Sequence, residues 1–159
     1  MPHSMLPILH NTTPSPIYFN KTVICDLDGT LSLLNGRNPY KPETCDEDKV
    51  NRPVAMILEL FYQSFKDGDV ITFLSGREYK YRFQTRKFLD RAISFNNYNL
   101  FMRETDDFRK DSIVKKELFD KYIKDEYDVL FVMDDRNQVV DMWRNELKLT
   151  CFQVAEGNF

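Results

Sequence analysis

Val23-Ile24-Cys25-Asp26-Leu27-Asp28-Gly29-Thr30-Leu31 is the stretch from which the rest of the chain is read. From Thr22 its first residues are β-branched or apolar, the pattern of a strand buried on both faces. The strand then runs into two carboxylates one residue apart, a glycine and a threonine. Two acids at the end of a buried strand are costly unless something neutralises them. A divalent cation does so, and magnesium takes carboxylate and backbone oxygens as ligands. Two-residue periodicity puts Asp26 and Asp28 on the same side of the strand. Gly29 lets the chain turn sharply and bring its backbone close to a ligand. In open α/β sheets that ligand lies beyond the carboxyl ends of the strands. A carboxylate available as nucleophile beside a cation implies phosphoryl transfer.

Outward from this strand the chain alternates. Residues 1–20 carry four of the seven prolines and read as a flexible leader, leaving 21–159 as the domain. Ser32 to Arg52 is polar and turn-rich, too long for an idle connection, and reads as a small cap or covering loop. Pro53 opens a helix to about Lys66, with Val54, Ile57, Leu58 and Phe61 on its inner face. Strand Val70–Leu74 delivers Ser75-Gly76-Arg77, and a basic helix from Tyr79 to about Ser94 follows. A short strand at Asn99–Met102 leads to a polar stretch and a helix from Asp111 to about Ile123. Strand Val129–Met133 ends in Asp134-Asp135-Arg136, and helix Asn137–Leu147 and strand Thr150–Val154 complete the chain. The expected fold class is α/β: an open parallel sheet of about five strands with helices on both faces.

Composition agrees with one domain. The 159 residues are 42% hydrophobic and include 13 Phe and 8 Tyr, enough for a core. The longest apolar runs, Val54–Leu58 and Val129–Met133, are far too short to cross a membrane. The N-terminus lacks the pattern of a signal peptide. Three cysteines without metal-like spacing suit a reduced, cytoplasmic protein. A net charge of −3 argues against nonspecific coating of DNA, though not against gripping a strand at its end.

Three strand ends carry polar residues suited to phosphate: Asp26/Asp28, Ser75/Arg77 and Asp134/Asp135. Each alone has a plain structural explanation. A lone Asp-x-Asp is usually a turn, Ser-Gly-Arg is a common loop tripeptide, and Asp134, Asp135 or Asp111 could cap a helix. Together they fall on one edge of one sheet, which is the context such a motif requires.

Asp26-x-Asp28-Gly29-Thr30, Ser75, a downstream lysine and Asp134-Asp135 resemble the four motifs of the haloacid dehalogenase (HAD-like, Rossmannoid) superfamily of phosphotransferases. Longer stretches narrow the likeness: Asn35-Gly36-Arg37-x-Pro39-Tyr40, Ser75-Gly76-Arg77-Glu78, Arg109-Lys110-Asp111-x-x-Val114-Lys115 and Asp134-Asp135-Arg136-x-Gln138-Val139-Val140. These resemble the phosphatase domain of T-even phage polynucleotide kinase/phosphatase, from about Lys21 to the last residue. The segment between Arg77 and Thr85 is shorter than in the phage enzyme. No glycine is followed by lysine, so no Walker-type loop exists and a free-standing phosphatase is expected.

The resemblance implies a magnesium-dependent phosphatase that removes the 3′-phosphate from DNA or RNA ends. Asp26 would attack phosphorus, and Asp28 would act as general acid and base. The Asp26 carboxylate, the Asp28 backbone carbonyl and Asp135 would hold magnesium, with Asp134 behind them pairing with Lys115. Ser75 and Lys115 would neutralise the phosphoryl oxygens; Lys110 and Lys116 are rival lysines. Arg37 and Arg77 would bind substrate phosphate, since a guanidinium fork matches its geometry, with Thr30, Gly76 and Asp111 also at the substrate. The cations between Arg77 and Arg91 could meet the preceding phosphates, against the plainer reading of a solvated amphipathic helix. Trp143 reads as core; Tyr40 lies in the covering loop. Two rivals remain: a phosphatase for nucleotides or other small phosphomonoesters, and a catalytically idle domain that binds nucleic-acid ends or assembles with a partner. Self-assembly is left open.

Overall fold

The computed structural model describes residues 19–34, 36–38 and 40–158. The leader read at 1–20, with His3 and His10, therefore lies almost wholly outside the described residues. In chain order the elements are β1 (Asn20–Cys25), β2 (Ser32–Leu33), a 3₁₀ segment (Pro42–Glu47), β3 (Lys49–Val50), α1 (Arg52–Ser64), β4 (Val70–Glu78), a 3₁₀ turn (Tyr79–Tyr81) and α2 (Arg82–Ala92). They continue with β5 (Tyr98–Arg103), α3 (Asp111–Tyr122), β6 (Tyr127–Arg136), α4 (Asn137–Asp141), a π turn (Met142–Glu146) and β7 (Cys151–Gly157).

β1 is the middle of a five-stranded parallel sheet ordered β5-β4-β1-β6-β7. The chain winds from β1 through β4 to β5, then crosses back to β6 and β7. The winding reverses beside β1, which opens a crevice at the carboxyl ends of β4, β1 and β6. Alternation along each strand divides the core in two. Val23, Cys25, Ile71, Phe73 and Met133 pack with Val54, Leu58, Phe88 and Leu89 of α1 and α2. Ile24, Leu74 and Val132 pack with Phe119 of α3, Val139 and Val140 of α4, and Trp143. That is the expected sheet with helices on both faces.

Some local expectations are corrected. Ile57 is 39% exposed rather than on the inner face of α1. The buried stripe runs through Val54, Ala55 and Leu58, continued by the partly buried Phe61 and Tyr62, and Ile57 points away from it. Ser75-Gly76-Arg77 and Asp134-Asp135-Arg136 are not loops after the strands but their last residues. Pairing with β5 and β7 continues there through register shifts, at Ser75/Glu78 and Asp134/Arg136. Such bulges re-aim side chains at the rim of a sheet. The helix expected at 137–147 is α-helical only to Asp141, where a wider π turn sets Trp143 into the core. The covering segment forms a small cap: β2 and β3 pair antiparallel, with the 3₁₀ segment between them.

Candidate active site

Asp26 follows β1 directly, and its N–H donates to Met133 O of β6 at 3.0 Å. Its carboxylate continues the alternation of Ile24, toward the α3 face, where Lys115 waits. Lys115 is 1% exposed, and its Nζ donates to Asp26 Oδ1 at 2.7 Å and Asp134 Oδ2 at 2.8 Å, with Asp111 Oδ2 at 3.5 Å. Burial disfavours an ammonium, but the carboxylates of Asp111, Asp134 and Asp26 outweigh it and hold Lys115 well above the usual lysine range. Trp143 Nε1 donates to the same Asp134 Oδ2 at 3.3 Å, and Arg136 N donates to Asp134 Oδ1 at 3.2 Å. Asp134 is thus fixed from both sides.

Asp26, Asp134 and Asp135 are all buried, and a carboxylate oxygen of each lies within 4.8 Å of the others. Burial pushes the Asp26 carboxyl well above the usual carboxylate range, and Asp134 and Asp135 add to this against the pull of Lys115. Burial and the Asp134 charge push Asp135 up to about 6. Crowded hard oxygen donors whose charges repel fit a cation of the magnesium type. The Asp28 carboxylate is not one of the three; any part it has in a metal site falls to its backbone carbonyl. Gly29 has φ +89, and a Cβ there would sit 2.1 Å from Asp135 Oδ2. The turn and the close approach both require glycine.

Strict alternation predicts that Asp28 shares the surroundings of Asp26, but its carboxylate meets arginines where that of Asp26 meets Lys115. β1 ends at Cys25, and the chain turns, with Thr30 N and Ser32 N both donating to Leu27 O. Arg77 grips the Asp28 carboxylate with two donors, at 2.9 Å and 2.7 Å, and Arg37 adds a third at 2.7 Å. Burial would raise this carboxyl, but Arg77 and then Arg37 hold it below the usual range. Both guanidiniums also meet Asp48, which is 2% exposed: Arg37 Nε donates to it at 2.8 Å, and Arg77 Nη2, which also holds Asp28, at 3.2 Å. Arg37 and Arg77, expected at a substrate phosphate, are therefore committed to acids of the protein, and of the two only Arg77 lines the cavity below.

That cavity, of about 420 Å³, is lined by Asp26, Asp28, Gly76, Arg77, Asp111, Lys115 and Asp135, and farther out by Tyr40, Phe108 and Lys110. Arg103 braces one wall: its Nε donates to Gly76 O at 2.8 Å and its Nη2 to Asp111 Oδ1 at 3.1 Å. A Cβ on Gly76 would meet Asp111 Oδ1 at 2.2 Å, so the glycine makes room for that carboxylate. Thr30 is buried, and its Oγ1 donates to Asp135 Oδ1 at 3.4 Å. Ser75 is buried too, its Oγ accepting from Arg77 N at 3.1 Å. Of the rival lysines, Lys116 pairs with Asp120 at the surface and Lys110 lines the cavity.

Of the basic stretch from Arg77 to Arg91, Arg77 lines the cavity. No residue of α2 lines the cavity. Lys87 donates to Asp46, and Arg91 to the carbonyls of Asp46 and Asp48, so they tie the cap down. Arg82 donates to Leu100 O. Asp48 and Arg103 were not recognised from sequence. Asp48 stands in an acidic run indistinguishable from its solvated neighbours, and Arg103 opens a polar stretch without a motif.

The model of the polynucleotide kinase PNKP phosphatase domain matches residues 20–159. A protein of Autographa californica nuclear polyhedrosis virus, assigned by inference as a bifunctional polynucleotide kinase/RNA ligase, is 35% identical over 138 residues, covering 86% of this chain and 20% of its own. A structure of a Pnkp1/Rnl/Hen1 complex contains a chain 53% identical with a TM-score of 0.82, covering 90% of this chain and 48% of that one. A second, of the Pnkp1/Rnl/Hen1 RNA repair complex, is 49% identical with a TM-score of 0.84, covering 100% of this chain and 50% of that one. The chain thus spans about half the length of those chains and a fifth of the viral protein. By the family match over nearly its whole described length, the chain belongs to the HAD-type phosphatase domains of polynucleotide kinase.

Proposed function

We propose that this domain removes the 3′-phosphate from nucleic-acid ends, with Asp26 as nucleophile. The observation that carries the reading is Asp26 itself: a buried carboxylate, 2.7 Å from the Lys115 ammonium, on the floor of a cavity also lined by Asp28 and Asp135. Asp26 attacks phosphorus, the bond to the sugar oxygen breaks, and Asp28 gives that oxygen its proton. Water then attacks the aspartyl-phosphate, passing a proton back to Asp28 and releasing inorganic phosphate. Lys115 and Ser75 steady the phosphoryl oxygens, and Asp111 and Gly76 shape the wall beside them. Magnesium, held by Asp26, Asp135 and the Asp28 carbonyl, would offset the negative charge of phosphate and carboxylates; Asp134 orients Lys115.

Arg37 and Arg77 enter through Asp28. In the resting chain they hold it as an anion. A phosphate dianion entering the cavity competes for the Arg77 fork, and Asp28 regains its affinity for a proton as that grip loosens. Because the similar structures come from an RNA repair complex, RNA ends and a comparable assembly with partner proteins are part of the proposal. The test is phosphate release from matched oligonucleotides carrying a 3′- or a 5′-phosphate, as RNA and DNA, with magnesium and with EDTA. Release from 3′ ends only, and only with the metal, is expected; preference for 5′ ends overturns the reading.

A further inference from the structure

Phe108, between β5 and α3, is 84% exposed, more than any other large hydrophobic residue described. An exposed phenylalanine alone signifies little. Phe83, for instance, is 73% exposed, but it lies outside the cavity with Lys87 over its ring. Phe108 differs in two respects. It lines the cavity whose floor is Asp26, as does Tyr40, itself 71% exposed with its hydroxyl held by Arg136 at 3.0 Å. Its backbone is also pinned on both sides, because Arg103 Nη1 donates to Asp107 O at 2.9 Å and to Arg109 O at 2.6 Å. Arg109 in turn clasps Asp107 and Glu117. The loop is fixed while the ring is left open to solvent.

We propose that Phe108 is the platform on which the base of the 3′-terminal nucleotide stacks, with Tyr40 as a second aromatic wall. This rests on the 3′-phosphatase reading and gives it a substrate determinant. A 3′-phosphate lies one sugar away from its own base, so a phosphate on the cavity floor places that base near the rim. A volume of about 420 Å³ is in the range that takes a ligand of nucleotide size. Every base has a π-face, so stacking demands a base without choosing which. Lys110, on the same rim and paired with no acid among the described residues, is placed for the preceding phosphate.

The experiment compares two 3′-phosphorylated oligonucleotides of one length, the second lacking only its terminal base. Wild-type chain, Phe108→Ala and Phe108→Trp are assayed for phosphate release. The wild type should show a KM about five- to a hundredfold lower for the complete end, the range that base–aromatic stacking supports. Phe108→Ala should bring the ratio of the two KM values toward one, and Phe108→Trp should restore it. Equal KM values in the wild type, or an undiminished ratio in Phe108→Ala, would overturn the stacking role while the phosphatase reading stood. Release from neither end by the wild type would overturn the phosphatase reading, and this inference with it.

Discussion

Lys115 sits in the molecule as a charged group at 1% exposure because three carboxylates surround it. A buried ion network adds little net stability over an apolar one, but removing one partner strands the others. Lys115→Met should therefore cost about 3–5 kcal/mol in metal-free urea unfolding, and adding Asp134→Asn should recover part of the loss. A cost below about 1 kcal/mol would mean the network is solvated. Asp26→Asn is a different perturbation, since the amide oxygen still accepts from Lys115. It should abolish turnover while the melting temperature moves by only a few degrees. Near-normal turnover would refute the covalent step.

At the scale of elements, the cap depends on α2. Arg91 lies over the Phe88 ring, 5.5 Å from its centroid, and donates to the Asp46 and Asp48 carbonyls, while Asp48 backs the arginines on Asp28. Arg91→Ala should cost about 1–3 kcal/mol and speed amide exchange across residues 42–50 more than in the sheet. Lys87→Ala removes a solvent-screened pair in which the lysine side chain is 53% exposed, and should destabilise the protein less than Arg91→Ala. Equal exchange in the two variants would show that the carbonyl contacts do not hold the cap. Of the basic residues of this helix, Lys87 and Arg91 form the clamp, while Arg82 holds the Leu100 carbonyl.

For the whole molecule, stability responds to pH and metal through the acidic cluster. Asp135 titrates at about 6 in the fold, above the ordinary carboxylate value. A raised carboxyl contributes its stability fully below the unfolded value, near pH 4, and loses it as pH climbs through about 6. Without metal, this group should make the protein less stable at pH 7 than at pH 5. Magnesium binds the ionised form, so its stabilising effect should be larger at pH 7 than at pH 5. Asp135→Asn should raise the metal-free melting temperature at pH 7 and remove most of the magnesium response. A magnesium shift equal at both pH values, or one undiminished in Asp135→Asn, would refute the assignment.

By itself the sequence determined the alternation of strands and helices, the sheet with two covered faces, and one edge gathering Asp26, Ser75 and Asp134-Asp135. Those features follow from local hydrophobic period and from where polar residues interrupt buried strands, both legible along the chain. The tertiary structure decided which charges meet. Asp28 finds Arg77 49 residues away, and the two arginines share Asp48, which no local pattern separates from Asp46 and Glu47. Arg91 and Lys87 went to the cap, and Arg103 to the loop that carries Phe108. An ion pair depends on separation in space and on burial, which depend on how the elements dock rather than on neighbours in sequence.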